Sequence, residues 1–376
     1  MKFAEIPGQE AIKKRLVKSV KENRVSHAQL FLGPEGSGKL ALALAYAQYV
    51  NCRDRSGSDS CGECPSCVKY QKLIHPDLHF VYPTARIGSI DKPVSSHFIS
   101  SWRKMVIRGD GFINLPLWYA QIGIGRKQAI INARDCNQII KTLSYKSYES
   151  EYKVMIIWMV EKLFHSAAPK ILKILEEPPD KTLFILISED ADQIISTILS
   201  RTQLIKIPRL DDDDLVKALY TKFDDPVQVN DAVRVAGGNY ILAKKILENP
   251  NEDDYNFLKF RAWMRLCFGL NVKESLKFIS ELSKTSREKQ KDFLAYSLRM
   301  IRESMLLAFK GDGLTRLNSK ELEFINKFYP FITSQNLVQI SSELNDAIFH
   351  VERNANPSVL FLDLTMKIGT LLKKQK

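Results

Sequence analysis

The chain has 376 residues, 45% hydrophobic and 26% charged, a globular balance that excludes a disordered or fibrous protein and implies two or three domains. Lys and Arg outnumber Asp and Glu by 55 to 43, and the resulting net charge of +12 favours an anionic partner without naming one. Six cysteines are too few for a disulfide scaffold, Met1-Lys2-Phe3-Ala4-Glu5 has no apolar signal core, and apolar runs such as 154–160 fall far short of the ~20 residues of a membrane span. A cytoplasmic protein with reduced thiols and no membrane partner is therefore expected.

Residues 9–24 set Ala11, Leu16, Val17 and Val20 at helical spacing among Lys13, Lys14, Arg15 and Lys18, which predicts an amphipathic helix. Ala28-Gln29-Leu30-Phe31-Leu32 predicts a short buried strand. A glycine-rich turn follows, then an apolar helical run over 40–50. Strand, glycine loop and helix open an α/β nucleotide-binding layout. Further buried strands are predicted at 154–158 and 183–187, with a helix over 167–175 between them that Pro178-Pro179 stops. Parallel α/β topology follows to about residue 208.

From about residue 209 amphipathic helices dominate; Leu294, Leu298, Ile301 and Met305 form one stripe, and Glu248-Asn249-Pro250-Asn251-Glu252 reads as a linker. Residues 84–130 break the pattern. They hold five glycines, Trp102, Trp118 and Tyr119, and seven Lys/Arg against two Asp, a local charge of +5. This stretch reads as an insertion whose aromatics either pack it onto the core or, with the basic residues, contact nucleic acid.

Gly33-Pro34-Glu35-Gly36-Ser37-Gly38-Lys39-Leu40 matches G-x-x-x-x-G-K after a strand and at the start of a helix. Gly33, Gly36 and Gly38 let backbone N–H groups converge on phosphates, and Lys39 and the helix N-terminus add positive charge. A working loop continues with Ser or Thr, whose hydroxyl holds Mg²⁺, but Leu40 has no oxygen. The second strand should end in acidic residues; Trp158-Met159-Val160-Glu161 offers only Glu161, beyond the expected place. Without metal ligands, the charge that develops on a γ-phosphate is not neutralised. A phosphate-loop fold that has abandoned hydrolysis is expected. Two roles stay open for Lys39: residual nucleotide binding, or a helix-capping or surface lysine.

Cys52, Cys61, Cys64 and Cys67 are spaced C-x8-C-x2-C-x2-C. Four thiolates make a closed tetrahedral Zn²⁺ shell, a structural site. An iron–sulfur cluster is the competing metal reading, although the usual downstream x3-C-P ligand is missing. Four unrelated thiols are the third reading. Cys136 and Cys267 stand alone and suit buried apolar positions.

These motifs resemble the clamp-loader branch of the AAA+ ATPases, the subunits that serve bacterial DNA polymerase III. Gly8-Gln9-Glu10, His27-Ala28, the phosphate loop, Asn51-Cys52 and the cysteine module follow in family order. Tyr145, Tyr148 and Tyr152-Lys153-Val154 resemble the run before the second strand. Lys173-Ile174-Leu175-Glu176-Glu177-Pro178-Pro179 resembles the family's helix end. Ser200-Arg201-Thr202-Gln203 resembles its Ser-Arg-Cys motif, with Thr202 for Cys. Arg353-Asn354-Ala355-Asn356-Pro357 resembles a C-terminal signature. The resemblance covers nearly the whole chain except 84–130.

The resemblance implies an AAA+ core over 1–208, including a zinc module at 52–67, then a helical lid over 209–250 and an all-α oligomerising collar over 251–376. It implies that Arg201, with Ser200 beside it, reaches the γ-phosphate of ATP held by a neighbouring subunit; a surface arginine at a strand end is the alternative. The family's hydrolysing gamma/tau subunits have Thr at the place of Leu40, Asp-Glu at Trp158 and Met159, and a sensor arginine at the place of Ile241. These departures point to the non-hydrolysing delta-prime type. The implied function is a stator without ATPase of its own, and the alternative is an active gamma/tau-type ATPase. The implied partners are gamma/tau and delta subunits and, through the complex, primer–template DNA and the sliding clamp.

Overall fold

A computed structural model describes all residues except 89, 125–127, 165–166, 270, 310–314 and 374–376. The chain folds as two compact units. One comprises Met1–Asp224 with Gly237–Leu242, the other Asp225–Ala236 with Ala243–Lys376.

The first unit contains α1 (Glu10–Lys21), β1 (Ala28–Leu32), α2 (Lys39–Val50), α3 (Pro65–Gln71), β2 (Leu78–Val81), α4 (Ile99–Arg108), α5 (Leu115–Ile122) and α6 (Ala133–Ser144). It continues with β3 (Lys153–Trp158), α7 (Ala168–Glu176), β4 (Thr182–Ser188), α8 (Ser196–Leu199), β5 (Gln203–Lys206) and α9 (Asp212–Tyr220). Among the described residues the five strands form one parallel sheet in the order β2-β3-β4-β1-β5. Every residue of β3 and β4 is buried, as continuous Val/Ile/Leu-rich runs in a parallel sheet require. On the edge strand β5 only Ile205 is buried.

Every residue of α2 is buried, because this apolar helix packs on β1, β3 and β4. On α6 and α7, Ile139, Leu143, Ile171 and Leu175 join Leu30, Met155, Ile157, Phe184 and Leu186 of the sheet in one core. β1 coincides with its sequence expectation, and the helix predicted at 167–175 is displaced by one residue. β2 and β5 escaped sequence reading: each is four residues long, β2 contains His79, and β5 exposes three of its four residues.

Beyond α9, α10 (Pro226–Ala236), α11 (Tyr240–Glu248), α12 (Pro250–Gly269) and α13 (Val272–Ser283) lead to α14 (Arg287–Ala308), α15 (Ser319–Phe328), α16 (Ser334–Glu352) and α17 (Pro357–Lys373). The second unit is helical throughout its described residues. Its core gathers Phe260, Trp263, Phe293, Leu294, Ile301, Leu344 and Phe361. Of the expected stripe on α14, Leu294 and Ile301 are fully buried and Leu298 packs against that core, whereas Met305 is only half-buried and is not part of it.

The linker expected at 248–252 is corrected to a single-residue break at Asn249. Glu248 ends α11 and Pro250 begins α12. Proline at a helix start loses no hydrogen bond, since the first N–H groups have no intrahelical acceptor. The run Arg353–Pro357 is a helix-to-helix connection. Asn354 adopts φ +67° after α16, and the Asn356 side chain accepts the N–H groups of Ser358 (3.0 Å) and Val359 (3.5 Å) at the start of α17.

Candidate functional site

The loop between Leu32 and Lys39 emerges at the carboxyl edge of the parallel sheet, the edge where ligands bind in open α/β folds. Gly36 and Gly38 have φ of +73° and +85°. A Cβ on Gly36 would meet Asn239 Oδ1 at 1.9 Å, and one on Gly33 would meet the Ile207 carbonyl oxygen at 2.1 Å. The glycines are thus required by close approach as well as by backbone conformation.

Lys39 is 6% exposed. Its Nζ donates to the Pro34 carbonyl at 2.7 Å and to Glu189 Oε1 at 3.3 Å. Burial lowers the Lys39 ammonium pKa against the opposing pull of Glu189, and burial raises the Glu189 carboxyl pKa against the pull of Lys39. Glu161, the acidic residue after β3, accepts the Glu189 backbone N–H at 3.1 Å and so fastens the end of β4. Glu35 accepts from Asn114 (3.2 Å) and Asn239 (3.1 Å).

Leu40, Trp158 and Ile241 close around Lys39 together with Gly111, Phe112 and Ile113 of the insertion. The cavity they leave is about 10 Å³, room for about one water. Trp158 packs on Trp102 with ring centroids 5.2 Å apart, Trp102 stacks on Tyr82 at 4.2 Å, and Trp118 meets Trp102 edge-on at 5.4 Å. Trp102 and Trp118 are fully buried, and Trp118 Nε1 donates to the Pro83 carbonyl at 2.8 Å. Of the two roles considered for these indoles, packing is the one their burial permits; neither ring is free to stack on a base.

Arg201 lies between α8 and β5, away from the residues lining its own loop. Its guanidinium is paired with Glu176 and donates to the Thr197 carbonyl at 3.1 Å and to Ser200 Oγ at 3.2 Å. The Arg201 side chain remains 34% exposed. Thr202, where the resembled motif has Cys, turns its hydroxyl to the Ile198 carbonyl at 3.0 Å.

The four cysteines spaced along 52–67 converge, and their sulfurs all lie within 4.8 Å of one another. Cys52 and Cys61 Sγ are 3.5 Å apart, Cys61 and Cys67 Sγ 3.8 Å. Ligands ~2.3 Å from a tetrahedral Zn²⁺ stand ~3.8 Å from one another, so this donor set fits such an ion. All four thiols are free of disulfides. The Cys61 and Cys64 N–H groups donate to the sulfurs of Cys52 and Cys61 at 3.3 Å each, as outer-shell donors do around metal thiolates. The N–H groups of Cys64 and Glu63 bring the Cys61 thiol pKa down to about 6. The cluster can hold a metal such as zinc.

The module also pins the chain start, because the Asp59 carboxylate accepts the N–H groups of Phe3 (3.0 Å) and Ala4 (2.9 Å). Sequence reasoning missed Phe112, Asn239, Glu189 and the Glu176 partner of Arg201. Only Glu189 carried a readable signal, an acidic residue directly after a buried strand.

A family model described as "DNA polymerase III, delta subunit" matches residues 8–211. The Bacillus subtilis DNA polymerase III subunit delta' is 29% identical over 213 residues, which cover 56% of this chain and 51% of that protein. The B. subtilis subunit tau is 25% identical over 390 residues, covering 98% of this chain and 61% of that protein. The Yersinia pestis subunit delta' is 24% identical, covering 88% and 85%. The chain spans about half the length of the B. subtilis delta' relative and under two thirds of tau. With a family model matching more than half of its residues, the chain belongs to the DNA polymerase III delta-subunit family.

Proposed function

We propose that the chain is a delta-prime-type, non-hydrolysing subunit of the loader that places the sliding clamp on primer–template DNA. One observation carries the reading: Lys39 is engaged by Pro34 and Glu189 inside a cavity of about 10 Å³, bordered by Leu40, Trp158 and Ile241 instead of metal-binding and phosphate-sensing groups. With Leu40 and Trp158 at the places of the metal ligands and the carboxylate lining the cavity, Glu189, paired with Lys39, the loop lacks a set of groups that would position Mg²⁺ for phosphoryl transfer.

The catalytic contribution in this reading is made in trans. Arg201 leaves Glu176 for the γ-phosphate of ATP held by a gamma/tau-type neighbour, and Ser200 helps aim it. A guanidinium suits that exchange, since it pairs with carboxylate and phosphate through the same fork of N–H donors. Gamma/tau-type and delta subunits are the direct partners, and DNA and clamp are met through the complex in the cytoplasm. Residues 1–208 serve as core, 209–250 as lid and 251–376 as collar. The cysteine module carries one structural zinc. Among the described residues, no helix is long and apolar enough to cross a membrane.

The deciding experiment is steady-state ATP hydrolysis by the isolated chain with Mg²⁺. Background rates are expected, and robust turnover would return the chain to the gamma/tau-type reading.

A further inference from the structure

We propose that the phosphate loop has a resident occupant supplied by the chain itself, the turn 109–113 of the insertion, which takes the place of nucleotide and holds the loop in a fixed form. The proposal rests on reading the loop as a former nucleotide site, and it assigns a role to part of the 84–130 stretch, which lies within the span of the family match.

The turn is built to enter a narrow space. Directly after α4, Asp110 and Gly111 adopt consecutive left-handed conformations, φ +50° and +73°. The Gly111 N–H donates to the Val106 carbonyl at 2.9 Å and the Phe112 N–H to the Gly109 carbonyl at 2.8 Å, which fixes the turn to the helix end. A Cβ on Gly111 would meet Ala41 Cα at 2.8 Å, so the backbone of the turn lies directly on the first turn of α2. That helix start is where a bound phosphate would sit.

Phe112 completes the closure. Its ring lies 3.2 Å from the position of a Cβ on Gly38 and 4.3 Å, centroid to centroid, from the Tyr240 ring. The Tyr240 N–H in turn donates to the Gly36 carbonyl at 3.3 Å. One aromatic side chain therefore touches the loop and the 240–242 segment together. Polar ties flank this apolar centre: Lys222 donates to Asp110 at 2.7 Å, and Asn114 to Glu35 at 3.2 Å.

The chemistry of the filled site excludes its former ligand. Phe112 and Ile113 are 7% and 6% exposed, and a phosphate desolvated against them would lose its water shell without gaining donors. Ser37 Oγ is fully buried at the loop with no hydrogen-bond partner, as expected of a polar group whose ligand has been replaced by an apolar plug.

Hydrogen exchange on the full chain tests the proposal. Wild-type amides at 36–41 and 240–242 are expected to be protected equally with and without millimolar ATP. Phe112→Ala is expected to lower protection in both segments by about tenfold while β3 and β4 keep theirs. Should that variant not fold, Lys222→Met removes the ammonium that ties Asp110 and lies over the Tyr240 ring, and is expected to give a smaller loss confined to the same amides. Unchanged protection in the variant that folds overturns the proposal. Wild-type protection that rises with Mg²⁺-free ATP also overturns it, while leaving the non-hydrolysing reading intact. Mg²⁺-dependent turnover would instead defeat that reading.

Discussion

The Arg201 guanidinium is paired with the carboxylate of Glu176, which joins the Ser200-Arg201 run to the end of α7 25 residues earlier in the chain. The pair is part exposed, with side chains 34% and 46% accessible. Water screens such pairs, so it contributes about 0–1 kcal/mol to stability. Arg201 is thus held in place without being needed for folding.

Arg201→Ala is therefore expected to lower stability by less than about 1 kcal/mol in urea unfolding. In the reconstituted loader it should depress hydrolysis at the one neighbouring site it faces on the order of a thousandfold, the scale of an arginine finger. Arg201→Lys should not restore the rate, because an ammonium lacks the planar fork. Unaltered loader turnover with Arg201→Ala would remove the role in trans.

Leu40→Thr returns a hydroxyl to the metal-binding position of the loop. No ATPase is expected to appear, because Trp158 supplies no carboxylate and the cavity is only about 10 Å³. The change replaces a buried apolar side chain, 3% exposed, with a smaller polar one. It should cost about 1–3 kcal/mol. Mg²⁺-dependent turnover by this variant would show that the site is open.

Metal analysis of the purified chain is expected to give about one zinc per chain, and Cys67→Ser to lose it. Loss of metal should release Asp59 from the N–H groups of Phe3 and Ala4. Melting should fall by about 4 °C or more, equivalent to ~2 kcal/mol, with faster proteolysis near the chain start. Iron in the preparation, or full stability after chelation, would defeat the zinc assignment.

Asp77 provides a pH test. Burial pushes its pKa up, but the backbone N–H groups of Glu149, Tyr148 and Ser150, which its carboxylate accepts at 2.9, 2.6 and 3.0 Å, outweigh burial and hold it below 3.8. A depressed folded-state pKa contributes stability that is complete above the unfolded value and lost as pH falls through the folded one. Asp77→Asn should therefore cost about 1–3 kcal/mol at neutral pH. Its deficit should shrink as pH falls below 3.8, and urea titrations at several pH values would read this. A deficit independent of pH would mean that the charge is not what matters.

Much of the core was legible because its signals are local. β1, the glycine loop and the start of α2 are contiguous, and the cysteine spacing needs only a short stretch of chain. Asn51 and Tyr152 show the limit of such reading. Each stood out in its own run, yet the Asn51 side chain accepts the Tyr152 N–H at 3.0 Å and donates to the Tyr152 carbonyl at 2.8 Å across 101 residues of sequence. No spacing rule announces that pairing. β2 and β5 were missed for a related reason. Each is a four-residue strand defined by its parallel partner, β3 and β1 respectively, more than by its own composition.

By itself the sequence determined the chemistry available to this protein: a phosphate loop with leucine at the metal position, four cysteines with ligand spacing, and an arginine in a family motif. Those are properties of residue type and short-range order. Tertiary structure alone decided what each group faces. It set Glu189 against Lys39, Glu176 against Arg201 and Phe112 against Gly38, partners separated by 150, 25 and 74 residues in the chain. Close packing brings such residues together only when the whole sheet, its helices and the insertion are assembled, and whether the loop is open or filled is settled at that step.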